Sequence, residues 1–239
     1  MKLILLSIAL PLSIALVGCE TTGLSSREQG GQYATFVTAL YQDQPSGWRQ
    51  PVSLRVPAHI AVAQIGEVTP SRILLERLEQ EPQLISRISP LPFPGEKQPR
   101  YYSSGRNETS SEELKKQATG LRNLAREMGA EYLLITGGNI DSYETRNPAA
   151  ALDLTIVGAA VVPGTRISSE GKGAAALLDV ETGRVIFLVS SELNKSSLSP
   201  TFFSDSKRTK LNRELRDELI GKLSEEFLQR LQTSTATRR

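Results

Sequence analysis

Leu124–Gly138, LAREMGAEYLLITGG, carries the decisive change of rhythm in this chain. Upstream of Gly129, Leu114, Ala118, Leu121, Ala125 and Met128 keep the 4-3-4-3 spacing of one buried helical face. Gly129 supplies a left-handed stop, because a residue without Cβ enters that conformation without steric cost. Directly after it, Ala130–Gly138 reads as an apolar strand of the kind covered on both faces. A helix feeding a doubly covered strand predicts an α/β layer structure.

The same grammar extends upstream. Ser110 and Glu113 stand in the spacing of a capping box for that helix. His59–Val68 (HIAVAQIGEV) clusters apolar β-formers and predicts a buried strand. Thr69 and Pro70 then offer a cap and a first-position proline for a helix whose apolar face is Ile73, Leu74, Leu75 and Leu78, ending at Pro82. Leu84–Ile88 is the second strand. Between it and the next helix, residues 89–110 carry four prolines and two glycines, and Tyr101 and Tyr102 make this loop the first candidate for a partner contact.

Downstream the pattern turns to β-structure. Leu152–Val162, Ile167–Val180 and Arg184–Ser191 are three successive strand candidates, and Pro163-Gly164 and Thr182-Gly183 mark short turns that imply antiparallel neighbours. Lys207–Leu231 closes the chain as a long helix, with Leu211, Leu215, Leu219, Leu223, Phe227 and Leu231 at steps of four. Such a stripe drifts about 40° per step and winds round the helix, which suits packing across a twisted sheet. The expected fold is α/β (α+β): strand-helix-strand-helix-strand, then antiparallel strands of one mixed sheet, then a long C-terminal helix.

The N-terminus sets the compartment. Lys2 precedes an apolar run, Leu3–Leu16, too short to span a bilayer, which needs about 20 apolar residues. It reads as the h-region of an export signal. Leu16-Val17-Gly18-Cys19 resembles the lipobox of bacterial lipoproteins, and Cys19 is the single cysteine of the 239 residues. The resemblance implies cleavage between Gly18 and Cys19, acyl chains on Cys19, and attachment to a membrane; with Glu20 after the cysteine it implies the outer membrane with the domain facing the periplasm, the inner membrane and the cell surface remaining open. The expected organisation is a signal peptide at 1–18, a lipidated tether and short extension at 19–57, an α/β domain at 58–232, and a disordered tail at 233–239. About 220 residues remain after cleavage, enough for one larger domain.

The helix–glycine–strand text at 124–137 and the hairpin text Ala176–Ile186 (ALLDVETGRVI) look like the domain shared by CsgG-type envelope lipoproteins and the N-terminal domain of TolB. That resemblance covers roughly residues 58–232. It implies a membrane-anchored binding or assembly module for another envelope protein or polymer, with an oligomeric secretion pore of the CsgG type as the alternative. A pore hairpin should alternate lipid-facing and lumen-facing residues, whereas Leu152–Val162 is apolar nearly throughout its second half. A homo-oligomer is left open.

Chemistry is sparse by contrast. A net charge of +2, about +1 once Lys2 is removed, gives no electrostatic case for nucleic acid. His59 is the only histidine, and no nucleophile motif accompanies it. One histidine and one lipid-accepting cysteine do not make a zinc site. Gly164–Lys172 (GTRISSEGK) lacks the spacing of a phosphate loop. Asp141, Glu144 and Asp153 are carboxylates without a stated reason to converge, and Glu218 with Lys222 and Glu226 with Arg230 read as solvated helix pairs. The expectation is a protein with no catalytic residue, cofactor or metal of its own.

Overall fold

The computed structural model describes residues 54–93, 111–146, 164–200 and 203–236, with the side chains of 111–115, 146 and 236 left aside. The elements run β1 (Ala58–Gln64), α1 (Arg72–Glu79), β2 (Ile85–Pro90), α2 (Ser111–Glu127), β3 (Tyr132–Arg146), β4 (Thr165–Asp179), β5 (Val185–Ser199) and α3 (Ser204–Ala236). One five-stranded mixed sheet has the order β2-β1-β3-β4-β5. β1 pairs in parallel with β2 and β3, while β3–β4 and β4–β5 are antiparallel. The α+β class and the strand-helix-strand-helix-strand start are as the periodicity indicates.

Alternation along each strand sends neighbouring residues to opposite faces. On one face Ala61, Ala63, Leu133, Ile135, Ala176 and Leu178 meet α2 through Ala118, Leu121 and Ala125. On the other, Ile60, Val62, Leu134, Ala175 and Leu177 meet Leu74 and Leu78 of α1 and Leu223, Phe227 and Leu231 of α3. The Phe187 and Phe227 rings lie 5.5 Å apart, centroid to centroid. Every member of the four-step stripe of α3, from Leu211 to Leu231, is buried. β1 and the first half of β3 are therefore covered on both sides, which is why they read as continuous apolar runs.

Several boundaries differ from the sequence reading. α1 starts at Arg72, with Ser71 at its cap and Pro70 buried. The Ser71 backbone N–H donates to Gln64 Oε1 at 2.8 Å, so the end of β1, and not a Thr69 cap, fixes the entry to this helix. β1 stops at Gln64, short of Val68, and Gly66 takes a φ of +83° in the turn that follows. β3 runs eight residues beyond Gly138, and β5 runs on to Ser199. α3 extends to Ala236, into the stretch 233–239 expected to be a disordered tail.

Two glycines behave as their positions require. Gly129 has a φ of +73° and ends α2, where the Ala130 N–H donates to the Ala125 carbonyl at 2.9 Å. Gly183 has a φ of +74° in the β4–β5 turn, where Asp179 Oδ1 accepts from the Thr182 N–H at 2.7 Å and from its hydroxyl at 2.8 Å. An aspartate folding its own turn in this way is local geometry.

Candidate interaction face

Cys19, Gly18, Tyr101 and Tyr102 lie outside the described residues, as do Ser110 and the strand candidate Leu152–Val162. His59 is described, and its ring joins three parts of the fold. Nδ1 donates to the Gly129 carbonyl at 3.0 Å, which leaves Nε2 to accept from the Ser89 hydroxyl at 2.8 Å. Its backbone N–H donates to Glu131 Oε2 at 3.1 Å. Ser89 is 4% exposed, and this Ser–His contact ties β1, β2 and the α2–β3 turn together. The carboxylates do not converge. Asp141 accepts from Asn139 Nδ2 at 2.8 Å on one face of β3, whereas Glu144 faces α3 and pairs with Arg208 at 3.0 Å; Asp153 lies outside the described residues. Among the described residues no group of three or more His, Cys, Asp or Glu side chains could hold a metal ion.

What the sheet does offer is a face left open by the described elements. Beyond Gly137 the three antiparallel strands continue as a ribbon, and only the α3 side of it is covered by a described element. On that side Asn212 of α3 accepts through Oδ1 from the Ser142 and Ser169 hydroxyls, at 2.8 and 2.7 Å, and Gly171 and Gly173 let Leu215 and Leu219 approach the backbone closely. α2 reaches only the inner half of the other side, against Ile135 and Ala176. The outer half of that side is lined by Asp141 and Tyr143 of β3, Arg166, Ser168, Glu170 and Lys172 of β4, and Glu192, Asn194 and Leu198 of β5.

The register sets these side chains in rows. Tyr143 stands opposite Ser168, which stands opposite Ser196; the next row joins Thr145, Arg166 and Leu198; on the inner side, Asn139, Lys172 and Glu192 align. Asp141, Glu170 and Asn194 form the row between, so Arg166 and Lys172 share the face with Asp141, Glu170 and Glu192, and charges of both signs leave it without strong net potential. Lys172 Nζ bonds Glu170. That contact, and then the charges of Glu192 and Tyr143, raise the lysine above its ordinary pKa, while Glu170 is held below the usual carboxylate range by Lys172. Tyr143 and Leu198 are each more than half exposed and flank the charged rows. An aromatic and a leucine beside an ordered polar grid are the elements of a protein-contact surface. No described group on it is arranged for bond-making chemistry.

The face was present in the sequence as a weak signal. Arg166, Ser168, Glu170 and Lys172 alternate with Ile167, Ser169, Gly171 and Gly173, but the covered set contains serine and glycine, so hydrophobic alternation fails to reveal it. On α3 the expected Glu218–Lys222 pair is replaced by one across the sheet: Glu218 meets Lys195 of β5 at 2.5 Å, and Lys222 Nζ reaches the Glu192 carbonyl at 3.5 Å.

No protein-family model matches the chain, and no curated protein matches it. The likeness to CsgG-type and TolB N-terminal domains thus stands on the sequence text alone. Similar solved structures include rare lipoprotein B from Shewanella oneidensis, at 8% identity and a TM-score of 0.35, covering 75% of this chain and 97% of that one. The LpoB C-terminal domain from Salmonella enterica matches at 13% identity and a TM-score of 0.27, over 66% of this chain and 94% of that one. A hypothetical protein from Chlamydia trachomatis matches at 9% identity and a TM-score of 0.29, over 76% and 99%. Likeness at this level assigns no function. Among the described residues no helix is long and apolar enough to cross a membrane.

Proposed function

We propose that this chain is an envelope lipoprotein, held to the outer membrane by acyl chains on Cys19, whose α+β domain binds another envelope protein through the outer half of the β3–β4–β5 face. In this reading residues 1–18 are removed, 19–57 connect lipid to domain, and the protein acts by binding without catalysis of its own. The observation that carries the binding role is this face: fifteen-residue strands project well past α2, and the side that no described element covers presents Tyr143 and Leu198 around a grid of both charges. The anchor is supported by the order of Lys2, the apolar run, Gly18 and Cys19, and by the ~0.8 kcal/mol that each buried methylene contributes, which makes two or three chains a durable anchor.

Two measurements test the two halves separately. Metabolic labelling with palmitate should mark the wild type and leave Cys19→Ala unlabelled. A photo-crosslinker placed in turn at positions 143 and 198 should trap one and the same envelope protein, absent when the crosslinker sits at Glu76 on the outer surface of α1. Tyr143→Ala with Leu198→Ala should abolish that capture and leave the melting temperature within about 2 °C, because both side chains are exposed. Crosslinks to unrelated proteins from the two sites, or capture that survives the double substitution, would remove the face from consideration.

A further inference from the structure

On the α3 side of the sheet, away from the open face, a groove of about 310 Å³ runs between the outer end of β5 and the first turns of α3. We propose that it is a binding site for a phosphate ester carried on a small hydroxylated body. Lys195, Ser196 and Ser197 line it from the strand, and Lys207, Lys210 and Glu214 from the helix. Lys195 is committed to Glu218 at 2.5 Å, and Lys210 has only a loose contact with Glu214, at 3.9 Å. Lys207 has no ion-pair partner among the described residues.

The charge order of α3 supplies an independent argument. From Ser204 to Arg216 the helix carries five cations, Lys207, Arg208, Lys210, Arg213 and Arg216, against Asp205 and Glu214. From Asp217 to Gln232 it carries four carboxylates against Lys222 and Arg230. Asp205 in the first turn suits the helix dipole, so the tension in the first half lies between neighbouring cations. Lys207 and Lys210 are like charges at i,i+3, which repel. Helix stability therefore disfavours this arrangement, and an anion seated between the lysines would relieve it.

The ligand class follows from the donors. With Lys195 committed to Glu218, the two flexible ammonium groups of Lys207 and Lys210 can follow the tetrahedral oxygens of a phosphate, whereas a planar carboxylate is best met by an arginine fork, and no arginine lines the groove. The Ser197 hydroxyl adds a donor, and the Glu214 carboxylate accepts from a hydroxyl on the ligand body. The volume lies at the lower end of small-ligand clefts, which suits a glycerol- or sugar-sized ester better than a bare ion. A soluble ester and a phospholipid headgroup share this chemistry.

Equilibrium binding to the full chain in mild detergent separates the sources, with glycerol 3-phosphate and monomeric dihexanoyl phosphatidylglycerol as probes and glycerol as the blank. Saturable binding of either phosphate probe, weakened about tenfold in Lys207→Gln with Lys210→Gln, is the expected result; the tighter probe identifies the source. Binding should fall with added salt, stay unchanged in Lys222→Gln, and persist in Lys207→Arg with Lys210→Arg, which keeps the charge should the glutamine pair prove poorly folded. The glutamine pair should melt at or above the wild-type temperature, since it removes a repelling pair of like charges. No saturable binding of either probe, or equal binding by wild type and the glutamine pair, overturns the proposal.

Discussion

Gly171→Val tests whether α3 is seated on the sheet through the missing side chains of β4. A Cβ built at Gly171 would stand 3.3 Å from Leu215 Cγ and 3.4 Å from Leu219 Cδ2, and one at Gly173 would stand 3.3 Å from Leu219 Cδ2. Leu215 is fully buried and Leu219 nearly so, so neither can swing into solvent. Valine adds two methyl groups beyond that Cβ, and the helix must lift or its leucines must leave their rotamers. Overpacking of this kind costs about 1–3 kcal/mol, or a fall of roughly 2–12 °C in Tm for a domain of this size. The gain expected from replacing a strand glycine, about 0.5–1 kcal/mol, offsets only part of this. The assay is thermal unfolding followed by far-ultraviolet circular dichroism, with Gly221→Ala on α3 as the counter-case. Gly221 has ordinary helical angles and nothing within 4 Å of its Cβ position, so alanine there should raise stability by about 0.5–1 kcal/mol. If Gly171→Val melts at or above the wild-type temperature, the close approach does not seat the helix.

Other outcomes follow from single contacts. His59→Ala should cost about 1–3 kcal/mol, because it leaves the Ser89 hydroxyl and the Gly129 carbonyl without the ring; urea unfolding with an unchanged m-value checks it. Tyr132 should give an alkaline limb to the stability profile. Burial raises its pKa above the ordinary 10.0, in spite of the Arg55 N–H donated to its oxygen at 2.8 Å. The unfolded state therefore loses its proton first as pH rises past about 10, and stability falls from there through the raised folded value. Lys172 and Lys195, also raised, push the same way. Tyr132→Phe isolates the tyrosine share, and a Tm profile between pH 8 and 11 that is unchanged by this substitution would contradict it.

The sequence made the doubly covered part of the fold legible and left the singly covered part obscure. Leu133, Leu134 and Ile135 are buried from two sides by α2 and by α1 with α3, so their run is apolar throughout. The long helix was readable for a similar reason, its leucines crossing several strands. β3 beyond Gly138 and β5 beyond Ser191 were not, because burial there is achieved with little hydrophobicity. Ser142 and Ser169 are held by Asn212, and Gly171 and Gly173 bury their backbone under leucines. A residue that packs by lacking a side chain, or by bonding a distant asparagine, leaves no periodic mark. The open face was hidden by the same fact, since exposure is visible in sequence only against an apolar alternate set. Cys19, the one residue with chemistry legible from the start, lies outside the described residues, and its role rests on the order of the segment before it.

The shape of the ribbon argues for contact through its face and against contact through its edge. β5 is an edge strand of fifteen residues, long enough to recruit a second strand by its free backbone groups. Its outer half, however, carries Lys195 turned toward α3 and locked to Glu218, while Lys222 already donates to the Glu192 carbonyl. A pairing strand would have to displace that lysine and lie against α3, whose side chains crowd the edge from one side. The open face needs no displacement: its internal contacts, Lys172 with Glu170 and Asn139 with Asp141, lie within the surface and leave Tyr143 and Leu198 standing out from it. A partner that laid a flat surface on the ribbon would bury these two and leave the Lys172–Glu170 ion pair and the Asn139–Asp141 hydrogen bond intact. One that added a strand would give new amide protection along β5 and none over Tyr143. Hydrogen exchange on the captured complex distinguishes the two modes, and protection confined to the β5 edge would move the contact away from the face.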